Sequence, residues 1–341
     1  MDVAVAGPAR SVSRAYDRLA LRPAWVVCAS LIVLSGLSNA AGFTPGPIVR
    51  YGPLALSLVL LGLPHGAVDH LVPARLADTS LAVSLSLVGL CYLLLGGLYA
   101  VLWLLAPVPA ALLFVALTWF HWGQGEIHAL IAFVGTDHLR SRALRSATLV
   151  TRGGIPMLLP LLAFPERYRA VVDAWVGLFG AELATGWLFA VDTRLLLGGG
   201  FLAITLLTLN AGYRAAGAAH GWRVDAVETA LLWAFFLTVP PLIAVGVYFC
   251  LLHSLRHVLR LSGINDPPTS SRTLFTSFAR DAAPLTAVSI VLLAGFGILV
   301  PATPTTLPGI VALYLVFVAV VTLPHVVVVS WMDHREGVWH G

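Results

Sequence analysis

Ten stretches of this chain are apolar over lengths that approach or exceed what is needed to cross a bilayer: near residues 24–40, 53–72, 81–105, 108–134, 147–164, 170–190, 195–211, 227–260, 283–300 and 308–331. A helix spans the hydrocarbon core with about 20 apolar residues, and in lipid every backbone polar group has to be satisfied inside the segment that carries it. The expected fold is therefore all-α, a polytopic transmembrane helical bundle of about 8–10 spans. The range reflects two segments. The 170–190 stretch carries Asp173 and Glu182 and suits the membrane interface, and 227–260 is interrupted by Pro240 and Pro241.

Charge supports this class and excludes others. Only 11% of the residues are charged and 59% are hydrophobic, against about 25% charged in a soluble domain, so a soluble globular enzyme is ruled out. The 20 basic residues are all Arg and give a formal net charge of +4. They sit in short connections between apolar stretches, which is the pattern of orienting charge and not of a nucleic-acid surface. Arg10, Arg14, Arg18 and Arg22 precede the first span. Arg140, Arg142, Arg145 and Arg152 follow the fourth, and Arg256, Arg260, Arg272 and Arg280 close the eighth and its loop. With ten spans these regions share one side, which places both termini in the cytoplasm of a multi-pass plasma-membrane protein. Ser38-Asn39-Ala40 resembles a cleavage site, but the long polar head argues for a retained span. The expected division is a cytoplasmic segment, 1–23, and one transmembrane domain, 24–341. Cys28, Cys91 and Cys250 lie in apolar runs without metal-type or disulfide-type spacing and read as small core residues.

Ionisable groups inside spans are costly and mark functional sites. Seven of the 11 histidines lie in or at apolar stretches: His65, His70, His121, His128, His253, His257 and His325. His138, His220, His334 and His340 fall in connections or the tail and read as solvated. The second, fourth, eighth and tenth spans run in one direction and carry their histidines in the same half, so these side chains can meet in one layer. His253 and His257 are four apart in Leu252-His253-Ser254-Leu255-Arg256-His257 and share a helix face, as a metal-binding pair does. Leu63-Pro64-His65 recurs as Leu323-Pro324-His325, and each proline bends its helix ahead of the imidazole. Asp69, just before His70, is a candidate acceptor for a ligand imidazole N–H. Around His121, Trp119, Phe120 and Trp122 form an aromatic wall, Gly123 and Gly125 either continue or unwind the helix, and Glu126 needs an imidazole or arginine partner. A histidine-dominated site without thiolates suits iron, copper, zinc or nickel. There is no His-Glu-x-x-His, phosphate loop or nucleophile elbow.

These motifs together resemble the Brp/Blh family of prokaryotic membrane β-carotene 15,15′-dioxygenases: Pro64-His65-Gly66-Ala67-Val68-Asp69-His70, His121-Trp122-Gly123-Gln124-Gly125-Glu126, His253-Ser254-Leu255-Arg256-His257 and Leu323-Pro324-His325, in order between about residues 62 and 333. The resemblance implies O2-dependent cleavage of β-carotene at its central double bond into two all-trans-retinal molecules, and hence a link to a retinal-binding rhodopsin. It implies Fe(II) held by His65, His121, His253 and His257, which are the expected catalytic and metal-binding residues. Asp69, His70, Glu126 and His325 are then groups that hold a ligand in place, or alternative ligands. The hydrocarbon would enter sideways from the bilayer through an apolar passage, with Trp122, Tyr248 and Phe249 as lining residues. The chain departs from shorter members of the family by an extended amino-terminal region and an extra span or two. Three other classes use similar residues: a di-iron hydroxylase or desaturase, whose typical His-x-x-His-His is absent, a haem-binding electron carrier, and a metal or proton transporter.

Overall fold

Proline at the first helical turn and serine or threonine at the N-cap mark where the helices of this protein begin. Pro47, Pro107 and Pro241 open helices where a missing N–H costs nothing. Ser80, Ser141, Ser270 and Thr306 accept hydrogen bonds from the backbone N–H three residues on. In the computed structural model, which describes residues 10–184, 186–263 and 270–339, these signals open most of a set of eight helices: α1 (Ser13–Ala40), α2 (Pro47–Leu76), α3 (Leu81–Leu105), α5 (Arg142–Ala163), α7 (Val191–Ala216), α9 (Pro241–Gly263), α10 (Ser271–Leu299) and α11 (Leu307–Arg335). These eight helices are long and apolar enough to cross a membrane. Two more long helices run among them: α4 (Pro107–Ala129, continued by the π-helical turn Leu130–Val134) and α8 (His220–Thr238). Their lower hydropathy comes from polar groups they bury inside the bundle, among them His121, Gln124, Glu126, Asp225 and Glu228. No strand occurs among the described residues. This is the polytopic all-α bundle that the apolar stretches predict.

Two expectations about the spans need correction. The 170–190 stretch is not a long helix: it is the short α6 (Pro165–Gly177) followed by turns. The 227–260 stretch is two helices, α8 and α9, because Pro240 and Pro241 cannot continue the α8 hydrogen-bond ladder. The two changes offset one another, so the second, fourth, eighth and tenth long helices are still those that carry the histidines.

Of the proposed amino-terminal segment 1–23, residues 1–9 lie outside the described residues, as does His340. The rest of that segment is already helical. Tyr16 stacks on Phe133 at 4.8 Å and lies under the Arg256 guanidinium at 5.7 Å.

The bundle is held by apolar clusters. One joins α1, α5, α8 and α9 through Cys28, Ile155, Leu159, Phe235, Phe236 and Ala244. Another gathers Trp103, Phe114, Trp175 and Phe317 from α3, α4, α6 and α11. Helices α4 and α5 approach very closely: a Cβ on Gly123 would sit 2.5 Å from the Leu149 carbonyl oxygen, and one on Gly153 would land on the Trp119 carbonyl oxygen. Gly123 and Gly125 thus serve close packing, and the helix runs unbroken through them.

Candidate metal centre

Local breaks in helix geometry aim the histidines. Helix α2 is interrupted at Leu60–Leu61 and restarts at Gly62. There the Leu61 carbonyl, at 3.1 Å, and the Gly62 carbonyl accept from His65 Nδ1, which leaves Nε2 with its lone pair. In α9, Phe249–Ser254 forms a wider π-helical turn carrying His253, the kind of irregularity that collects at functional sites. Pro324 lies inside α11, one residue before His325.

His65, His121, His253 and His325 are buried, and one ring nitrogen from each lies within 4.8 Å of the others. The ring centroids of His121 are 4.6 Å from His253 and 4.7 Å from His325, and His65 lies 5.0 Å from His325. Nitrogens about 2.1 Å from a shared cation are at most about 4.2 Å apart, so small side-chain rotations close this set around one ion. The donors themselves have room for one more partner. Both ring nitrogens of His121 and Nε2 of His253, His257 and His325 are buried without a protein partner, and burying such groups unpaired costs about 1–3 kcal/mol each. Four buried imidazoles so placed are compatible with a metal ion.

His257 stands outside this four-nitrogen group. Its ring is 5.5 Å from His65 and 5.2 Å from His325, and its Nε2 is 3.9 Å from Asp69 Oδ1. The four-residue spacing assumes an α-helix throughout. The π-helical turn ending at Ser254 shifts the register, so His253 reaches His121 while His257 turns toward Asp69. Asp69, His257 and His325 form a second group with ligand atoms within 4.8 Å. In it, Asp69 Oδ2 accepts from His325 Nδ1 and from the Tyr92 hydroxyl, each at 2.7 Å. Asp69, expected to accept from an imidazole, accepts from His325. His70 does not join either group; its Nδ1 bonds the Ala67 carbonyl at 2.9 Å.

Glu126 sits away from the imidazoles in a buried ion network. Arg256 reaches Glu126 at 2.6 Å and Glu228 at 2.5 Å, Arg152 reaches Glu126 at 2.5 Å and also binds Glu228, and Tyr248 donates to Glu126 at 3.0 Å. Four arginines read as orienting charge in the sequence, Arg145, Arg152, Arg256 and Arg260, are in fact buried. Arg152 and Glu228 belong to the site's support and were missed; the signal was a charge inside each apolar stretch. His138, read as solvated, is buried on Asp225 at 3.0 Å, whereas His220 and His334 are exposed. Beyond this network, Arg260 binds Asp333 at 2.9 Å and Glu336 at 2.7 Å, and His128 Nε2 is 3.3 Å from Glu336. Burial would raise the Glu336 carboxyl, but the His128 hydrogen bond and the Arg260 charge outweigh it and hold the group at about 2.

The histidines form part of the wall of a cavity of about 1080 Å3, at the top of the usual range for small-molecule pockets, about 300–1000 Å3. Trp122 and Phe249 line it, and the Phe249 ring stacks on His253. Tyr248 is not a lining residue: it packs behind Trp122 at 4.9 Å. Phe120 points outward, exposed, and Trp119 donates to the Val150 carbonyl, so of the expected aromatic wall only Trp122 faces the cavity. Leu85 and Leu93 of α3 and Val288 and Val291 of α10 both line the cavity and are exposed on the outer surface. The cavity therefore opens sideways onto the apolar face of the bundle.

Fold and site define a polytopic helical membrane protein with a polyhistidine centre at the wall of an apolar, laterally open cavity. The family model "Beta-carotene 15,15'-dioxygenase" matches residues 56–333, and the chain belongs to that family. It is 47% identical over 332 residues, 95% of each chain, to the probable beta-carotene 15,15'-dioxygenase Blh of Halobacterium salinarum. It is 32% identical over 352 residues to the probable beta-carotene 15,15'-dioxygenase Brp of the same species, covering 98% of this chain and 97% of the relative. A beta-carotene 15,15'-dioxygenase from an uncultured marine bacterium is 25% identical over 62% of this chain and 68% of its own. No solved structure matches.

Proposed function

We propose that this protein cleaves β-carotene at its central double bond with O2 to give two molecules of all-trans-retinal, using Fe(II). The observation that carries this reading is the set of partnerless imidazoles at the wall of a large apolar cavity open to the surrounding lipid. His65, His121, His253 and His325 would hold the ion, with His257 beside them against Asp69. Fe(II) held by these imidazoles would supply the one-electron chemistry by which O2 reacts with an alkene.

The chain's own residues do the rest. Asp69 fixes the tautomer of His325 by accepting a hydrogen bond from its Nδ1–H, and backbone carbonyls do the same for His65. Trp122 and Phe249 present flat faces to a flat polyene, which has no group to hydrogen-bond. The apolar lining keeps bulk water from the reacting carbons. The reaction breaks the σ and π bonds of the central C=C and the O=O bond and makes two C=O groups, each carbon taking one oxygen atom, with no net proton taken up. We further propose a plasma-membrane location with both termini cytoplasmic, β-carotene and O2 drawn from the bilayer, a retinal-binding rhodopsin as consumer of the product, and no nucleic-acid partner.

The test is expression in β-carotene-producing cells. Loss of orange colour with appearance of retinal is expected. A His121→Ala variant that accumulates normally in the membrane yet makes retinal at the wild-type rate would overturn the reading.

A further inference from the structure

The lateral cavity explains access for a hydrocarbon and for O2, since both dissolve in lipid. Its lateral mouth, walled by Leu85, Leu93, Val288 and Val291, offers nothing to a hydrated divalent cation, which has to arrive from water and sheds its shell only to polar ligands. A second cavity of about 10 Å3, room for a single water molecule, touches the centre at a different place. Its walls include His121, His128, His253, Arg256, His257 and Arg260, and His121, His253 and His257 carry the partnerless buried nitrogens described above. His128 continues the line outward through its 3.3 Å contact with Glu336. The Glu336 side chain, 22% exposed, meets solvent at the end of α11.

Polar donors of metal-binding type thus succeed one another from the surface to the centre: a carboxylate, an imidazole, a water-sized gap, then the cluster. The two guanidiniums that line the gap are already offset by carboxylates: Arg256 pairs with Glu126 and Glu228, and Arg260 with Asp333 and Glu336. The alkene cleavage exchanges no net proton with water, so the chemistry itself does not require this polar line.

We propose that Glu336 and His128 form the loading path by which a divalent metal passes from the aqueous phase to the histidine centre. Glu336 replaces water on the incoming ion, His128 receives it next, and His121 and His257 complete the transfer. Because Arg260 shares the Glu336 carboxylate, the outer position passes the ion on instead of retaining it. This inference rests on the reading of the four histidines as a metal centre.

The experiment uses full-length protein stripped of metal with a chelator and mixed with Co2+ alone. Visible cobalt absorbance gives the loading rate, and elemental analysis gives the final content. Glu336→Gln and His128→Leu are expected to load about tenfold more slowly, the low end of electrostatic effects on association, and to reach the wild-type cobalt content; Glu336→Asp restores the rate. Loading of both slow variants at the wild-type rate overturns the path. If His128→Leu fails to accumulate, Glu336→Gln decides alone, since Arg260 keeps Asp333 as partner. A different result marks failure of the centre itself, and of the path with it: wild-type protein that takes up no cobalt, or a His121→Ala, His253→Ala double variant with an unchanged cobalt spectrum.

Discussion

His325 Nδ1 donates to Asp69 Oδ2 at 2.7 Å across 256 positions of sequence, and the same oxygen accepts from the Tyr92 hydroxyl. One carboxylate thereby ties α2, α3 and α11 together and sets the face that the His325 ring turns toward the other imidazoles. Asp69→Asn is expected to weaken metal binding by roughly 10–100-fold, the usual effect of losing the acceptor behind a ligand histidine. Metal titration of the purified variant checks this, with Tyr92→Phe showing the smaller loss.

Removing one member of the buried ion network should unfold the protein more readily than removing a histidine does. Glu228→Ala leaves Arg152 and Arg256 short of one carboxylate in a site that water does not reach, a change that costs about 3–5 kcal/mol. The expected outcome is a sharply lowered unfolding temperature in detergent, with little protein accumulating in the membrane.

The close crossing of α4 and α5 leaves no volume for a methyl group at Gly153, where a Cβ would meet the Trp119 carbonyl and the Gly123 backbone. Gly153→Ala is expected to cost about 1–3 kcal/mol through forced separation of the helices. Gly89→Ala, whose Cβ meets nothing within 4 Å, should be close to neutral; thermal unfolding of the pair compares the two.

Gly295 lines the cavity, and a Cβ placed there has open space. Gly295→Trp would occupy that space. Retinal formation in β-carotene-producing cells should fall severalfold while metal content and membrane level stay at wild-type values. Wild-type retinal output from this variant would show that the substrate does not use this part of the cavity.

Acid should loosen the end of the bundle that bears Glu336. Its folded-state value of about 2 lies below the ordinary 4.5, so the folded state binds its proton less readily than the unfolded chain does. The stabilisation is complete above about pH 4.5 and is lost as pH falls toward 2; it is at most about 3 kcal/mol. Unfolding measured against pH should show a steeper acid limb for wild type than for Glu336→Gln.

The histidine centre was legible because an imidazole inside an apolar stretch is conspicuous, and because the order of the helices brings His65, His121, His253 and His325 to one level. Trp122 and Phe249 were legible as neighbours of those histidines. What stayed hidden depends on contacts between distant helices. Arg152 and Arg256 near span ends look like orienting charge until Glu126 and Glu228 are seen beside them, and His138 looks solvated until Asp225 covers it. That His257 stands outside the four-nitrogen group was not readable from its four-residue spacing to His253, since spacing carries no mark of a π-helical turn. The short α6 and the division at Pro240 altered individual spans without altering which helices face the centre.

That turn at Phe249–Ser254 also means that the placement of His253 hangs on a single surplus amino acid. Deleting one residue there other than His253 would let the backbone relax into ordinary α-helical winding, with all the histidines still present in the gene product and the imidazole swung away from its companions. Short insertions and deletions in α9 are therefore expected to abolish activity far more often than point changes at the same positions, and relatives of this protein should keep that segment constant in length even where its letters differ.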